Sequence, residues 1–141
     1  MKYKYTTLSS TETEELGSEL IKKLDNNSFV ALYGDLGAGK TAFVKGMVKS
    51  FFPDAVVTSP TYNIVNTYSS NGTCLYHFDM YRITDDEDLY SIGFYDYLDN
   101  GIVVCEWSEN IPFAIPEKYV KITINKLSSE DEREITVEFI S

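Results

Sequence analysis

Apolar residues recur along this chain with two different periods, and the switches between them outline its elements. Lys2 to Thr7 reads as a first strand. Thr11 followed by Glu14 fits a capping box, and Leu16, Leu20 and Leu24 then recur at helical spacing, predicting a helix that runs to about Asp25. Asp25-Asn26-Asn27-Ser28 has the chemistry of a turn. The unbroken run Phe29-Val30-Ala31-Leu32-Tyr33 is short and partly β-branched, as a buried strand is. From Thr41 to Phe52 the helical period returns, with Phe43, Val44, Met47, Val48 and Phe51 on one face and Pro53 closing the segment.

The middle of the chain reads as β-rich. Tyr62 to Tyr68 and Thr73 to Tyr81 alternate around Asn71-Gly72, the strongest short hairpin signal. Asp85 to Leu98 predicts helix in pieces, interrupted at Gly93. Gly101 opens a second apolar run, Ile102-Val103-Val104-Cys105, which ends in Glu106. Tyr119 to Ile124 and Glu134 to Ile140 alternate on either side of polar residues 128–132, as a terminal antiparallel hairpin does. Together these elements predict an α/β sandwich with a mixed parallel and antiparallel sheet. No repeat, low-complexity stretch or linker divides the chain, and 141 residues suit one domain spanning 1–141.

Composition narrows the function classes. Hydrophobic residues at 43% and charged residues at 24% sit near the globular average, which argues against a disordered or collagenous chain. No apolar run approaches the ~20 residues of a bilayer span. Met1 to Ser10 is polar and has no signal-peptide core, so a cytoplasmic protein without membrane contact is expected. Twelve basic residues face 22 acidic ones, a net charge of -10, and only Arg82 and Arg133 are arginine. No basic stripe is present to displace counterions from phosphate, so direct nucleic-acid binding by this chain alone is not expected. Cys74 and Cys105 lie in apolar stretches without metal-like spacing and read as small buried hydrophobes rather than a disulfide.

The strongest chemical signal is Gly34-Asp35-Leu36-Gly37-Ala38-Gly39-Lys40-Thr41, which fits G-x-x-x-x-G-K-[ST] between a buried strand and an amphipathic helix. Its glycines allow a sharp turn that aims successive N–H groups at phosphate oxygens. The helix adds the positive end of its dipole, Lys40 a mobile cation for the β- and γ-phosphates, and Thr41 a hydroxyl for Mg²⁺. Asp35, Leu36, Gly37, Ala38, Gly39, Lys40, Thr41 and Ala42 are therefore the expected nucleotide cradle. The fold this implies is a P-loop NTPase-like three-layer sandwich.

Such a loop needs an acid at the end of a neighbouring strand to hold magnesium, and often a group that orients the attacking water. Asp79 ends Cys74-Leu75-Tyr76-His77-Phe78, and Glu106 ends the second apolar run, so both qualify. A carboxylate directly after a buried strand is costly to desolvate unless a cation or donors meet it; the plainer alternative is that either acid caps a loop. His77, the only histidine, shares a strand face with Asp79 and fits a hydrogen-bonded structural residue better than a ligand. Ser59-Pro60-Thr61 fits equally a γ-phosphate-sensing switch loop or an ordinary Ser-Pro turn.

The phosphate loop, Ser59-Pro60-Thr61-Tyr62, His77-Phe78-Asp79-Met80-Tyr81-Arg82 and Glu106-Trp107, in that order, resemble the TsaE (YjeE) family. The resemblance runs from about Phe29 to Glu109; Tyr62 stands where phenylalanine is usual, and Ser108 where proline or alanine is common. It implies a P-loop ATPase needed for threonylcarbamoyladenosine in tRNA, with ATP, Mg²⁺ and a complex with TsaB and TsaD, and roles for Lys40, Thr41, Thr61, Asp79, Glu106 and Trp107. The expected assignment counts Thr41, Asp79 and Glu106 as the metal residues, with Thr41 and Asp79 holding Mg²⁺ directly or through water. It gives the attacking water to Glu106 and the γ-phosphate to Lys40 and Thr61, and it makes Glu106 and Lys40 the catalytic residues. A GTPase fits less well, because Asp79-Met80-Tyr81-Arg82 lacks the glycine of D-x-x-G and Asn125-Lys126-Leu127-Ser128 lacks the guanine-pairing acid. A small nucleotide kinase needs more than two arginines around its phosphoryl group. A nucleotide sensor without turnover is the remaining alternative. Poverty in arginine further predicts slow hydrolysis alone and faster hydrolysis with a partner, with Arg82 either serving in cis or paired to the acidic 85–88 cluster.

Overall fold

Strands built on an unbroken apolar run need cover on both faces. The two built so, β2 (Phe29–Tyr33) and β5 (Ile102–Glu106, apolar up to its final acid), lie side by side and parallel in the middle of the sheet. The computed structural model describes residues 1–34 and 39–141. Among them the remaining strands are β1 (Lys2–Thr7), β3 (Val65–Ser70), β4 (Thr73–Asp79), β6 (Tyr119–Lys126) and β7 (Arg133–Ile140), in the order β1-β7-β6-β2-β5-β4-β3. The four inner strands β6, β2, β5 and β4 run parallel; β3 and β7 pair antiparallel with the outer two of them, and β1 pairs antiparallel with β7.

Helices α1 (Ser10–Ile21) and α2 (Lys40–Phe51) cover one face, where Phe43, Val44, Met47 and Val48 pack with Val30, Leu32, Leu75 and Val104. The short α3 (Asp86–Ser91) and α4 (Phe94–Tyr97) cover the other, where Leu89 and Phe94 meet Phe29, Ala31, Phe78 and Cys105. This is the expected three-layer α/β sandwich with a mixed sheet. The α1–α2 crossing is close because both helices present glycine there. A Cβ on Gly17 would lie 2.3 Å from the Phe43 carbonyl oxygen, and one on Gly46 would lie 1.9 Å from that of Glu14. No helix among the described residues is long and apolar enough to cross a membrane.

Several boundaries shift. The cap of α1 is Ser9, not Thr11: its Oγ accepts from Glu12 N at 3.1 Å while Glu12 Oε1 accepts from Leu8 N at 3.1 Å, a capping box two residues earlier than expected. The helix also stops at Ile21, four residues before Asp25. Strand β3 begins at Val65 instead of Tyr62, because Ile64 adopts φ 68°, a left-handed conformation that an extended strand excludes. The Asn71-Gly72 hairpin is as expected, with both residues at positive φ (52° and 81°) as a type I′ turn requires. The helix over 85–98 breaks at Gly93, and β6 pairs with β7 as an antiparallel hairpin.

Candidate functional site

Period-two alternation decides where the acids point. Leu75, His77 and Asp79 share one face of β4, and Ile102, Val104 and Glu106 share one face of β5. Leu75, Ile102 and Val104 belong to the core beneath α1 and α2, so His77, Asp79 and Glu106 turn toward the helix that begins at Lys40. The parallel register sets Asp79 opposite Glu106. Strands β2, β4 and β5 all end at this edge, where open α/β sheets bind their ligands.

The result is a cleft of about 300 Å³ lined by Gly39, Lys40, Thr41, Ser59, Thr61, Asp79, Glu106 and Trp107. A larger hollow of about 480 Å³ lies around Lys23, Phe29 and Tyr119, at the opposite ends of the parallel strands and away from these groups. Lys40 is buried, donates from Nζ to the Gly34 carbonyl at 2.7 Å, and lies 4.3 Å from the centre of the Trp107 ring. Trp107 reaches it because this residue takes a left-handed φ of 58° directly after β5, and Tyr81 packs 5.0 Å from the indole. Thr41, second in α2, is exposed.

The two acids differ in their donors. Asp79 Oδ1 accepts from the Tyr81 amide at 2.9 Å, and Oδ2 accepts a long 3.4 Å contact from Thr61 Oγ1, itself 2.7 Å from Ser59 Oγ. Glu106 Oε2 lies 2.5 Å from His77 Nε2, and both side chains are buried. The structural reading of His77 therefore holds, with an acid of the cleft as its partner. On the opposite face of β5, burial pushes the Cys105 thiol well above its ordinary value, and the Glu106 and Asp79 carboxylates add to the shift.

Other expected residues fall elsewhere. Asp35, Leu36, Gly37 and Ala38 lie outside the described residues. Ala42 turns from the cleft to a small hollow shared with Ser10, Thr13 and Arg133. Arg82 is not paired with the acidic cluster at 85–88 among the described residues; it sits over the Tyr62 ring at 5.2 Å. Arg133 has no place in the expected site, yet its side chain lies beside Gly39, where a Cβ would come within 3.4 Å of its Nε. Its Nη1 donates to the Glu130 and Glu132 carbonyls. Only the pairing of β7 with β6, two strands from β2, brings it there, so no local pattern could have signalled it.

A hard cation such as Mg²⁺ prefers oxygen donors, and the cleft offers the Thr41 hydroxyl and the Asp79 carboxylate at its wall. That donor set fits the ion. No cluster of three or more His, Cys, Asp or Glu side chains that could hold a metal occurs among the described residues.

Comparison with known proteins finds a matching family model, similar sequences and a similar fold. The family model "Threonylcarbamoyl adenosine biosynthesis protein TsaE" matches residues 7–135. The tRNA threonylcarbamoyladenosine biosynthesis protein TsaE of Treponema pallidum is 37% identical, over 92% of this chain and 95% of its own. That of Bacillus subtilis is 34% identical, over 94% and 83% respectively. The crystal structure of YdiB from Bacillus subtilis superposes with a TM-score of 0.82 at 28% identity, covering 100% of this chain and 87% of that one. With its motifs in order, its P-loop NTPase-like fold and these matches, the chain belongs to the TsaE family of threonylcarbamoyl adenosine biosynthesis proteins.

Proposed function

We propose that this protein is a Mg²⁺-dependent, weak ATPase of the cytoplasm that supports threonylcarbamoyladenosine formation in tRNA together with TsaB and TsaD, with hydrolysis resetting that complex. The observation that carries the reading is the convergence of Lys40, Thr41, Asp79 and Glu106 on one cleft at the carboxyl edge of the parallel strands. Lys40, already oriented into the cleft, is the cation for the β- and γ-phosphates. Thr41 and Asp79 are the residues to hold magnesium, which when bound neutralises charge on the phosphate oxygens. Glu106 accepts a hydrogen bond from the attacking water and orients it, and Thr61 carries the state of the γ-phosphate to the Ser59–Thr61 loop. Trp107 closes one wall of the cleft.

Arg133 lies beside Gly39 and also donates to the Glu130 and Glu132 carbonyls. A cation supplied by a partner is worth about 10³–10⁵ in rate in related phosphoryl transfers, and docking could also order the Ser59–Thr61 loop. The test is phosphate release by the protein alone and with the cognate TsaB–TsaD complex. Slow release alone and faster release in the complex is expected. Tight ATP binding with no release in either case identifies a nucleotide sensor instead.

A further inference from the structure

We propose that His77 is a positioning residue for Glu106, fixing which carboxylate oxygen is left to serve the cleft; this rests on the ATPase reading above. In parallel register Glu106 stands directly opposite Asp79, where like charges repel and a long, three-torsion side chain is free to turn away. His77 lies one step back on the same face of β4, and its Nε2 meets Glu106 Oε2 at 2.5 Å in a buried setting. Nδ1 is also buried and has no hydrogen-bond partner among the described residues.

The contact requires a proton on Nε2. A proton on Nδ1 alone would bury an orphan N–H, the rarer kind of unpaired group in folded proteins, and press the Nε2 lone pair against a carboxylate oxygen. With a proton on Nε2, the ring donates to Oε2. Oε2 is thereby committed to the ring, and Oε1 remains as the oxygen that can accept from water in the cleft. Asp79 is held by different donors, the Tyr81 amide and Thr61, so each acid is fixed apart from the other. Among the described residues the side-chain contact of His77 is with Glu106, so its effect should fall on turnover and spare nucleotide binding.

The experiment has two arms. In the complex with its partners, His77→Leu should lower kcat about 10–100-fold while KM stays unchanged, as for residues that orient a reacting group. His77→Gln, whose amide nitrogen reaches the place of Nε2, should recover most of the loss. In a Glu106→Gln background, His77→Leu should lower kcat no further. Independently, nitrogen-15 NMR of the single histidine should show a proton on Nε2, with a proton signal that moves in Glu106→Gln. Turnover of the wild type with normal kcat in His77→Leu overturns the proposal, as does an Nδ1–H tautomer. If His77→Leu does not fold, a His77→Gln variant no better than one without a donor, such as His77→Ala, overturns it equally. A wild type that releases no phosphate even with its partners ends the ATPase reading itself, a result distinct from either of these.

Discussion

Asp79 and Glu106 occupy equivalent ends of adjacent strands, yet the groups around them differ, and that difference separates their expected effects. Glu106→Gln keeps the shape of the cleft and removes the charge that orients water, so ATP affinity should be retained in calorimetry while phosphate release is lost. Asp79→Asn should weaken ATP binding in magnesium and have little effect in EDTA; the reverse pattern would exchange the two roles. Lys40→Ala removes a charge-assisted contact of about 1.5–3 kcal/mol, which predicts an affinity loss of roughly 10–100-fold. Trp107 is the only tryptophan and lies against the Lys40 ammonium, so its fluorescence should change on nucleotide binding in the wild type and change less in Lys40→Ala. Lys40, Thr41, Asp79 and Glu106 were legible because their signals are local: a loop motif, and acids that end apolar runs. The contact between His77 and Glu106 was not, since it depends on the β4–β5 register, and Arg133 was hidden by a pairing of strands far apart in sequence.

Among the elements, α1 shows why spacing alone misplaces an end. Ser9 to Glu12 and Thr11 to Glu14 both satisfy the capping-box pattern, and the choice falls to where β1 releases the chain at Thr7. Thr13, next to the rival cap, is instead buried against Thr7, with hydroxyls 2.7 Å apart. Ser9→Ala should therefore cost about 1 kcal/mol, within the 0.5–2 kcal/mol range of lost caps. Thr11→Ala should cost much less, and urea unfolding of the two variants distinguishes them. The β3 boundary failed for another reason. Ile64 is apolar and β-branched, so it continues a strand pattern, but its amide donates to Pro60 O at 2.7 Å and its carbonyl accepts from Asp79 N at 2.9 Å. Those two bonds hold it in a conformation that its side chain disfavours and join the Ser59–Thr61 loop to the end of β4.

At the scale of the molecule, groups that do not line the cleft set the response to alkali. Burial first, and neighbouring groups second, push Tyr33 and Tyr95 from 10.0 up to about 12, and burial raises Cys105 as well. Each group gives up its proton more easily in the unfolded chain, so its stabilisation is complete below the ordinary value and drains as pH rises through the folded one. Thermal midpoints should therefore fall steadily above about pH 9–10, and Tyr95→Phe should flatten part of that slope. A net charge of -10 gives docking to a partner an electrostatic part, so stimulation of phosphate release by the complex should weaken as salt is added. The strand order carries a consequence for synthesis. β2, which leads into the phosphate loop, is flanked by β5 and β6, and β1 pairs with β7 alone among the described strands. At roughly 5–20 residues per second, a ribosome releases β2 seconds before either neighbour exists, and the first strand waits for the last. The nucleotide cradle thus becomes usable only after β5 has emerged, and a nascent chain halted before β5 carries the motif without Glu106 and Trp107, which wall the cleft.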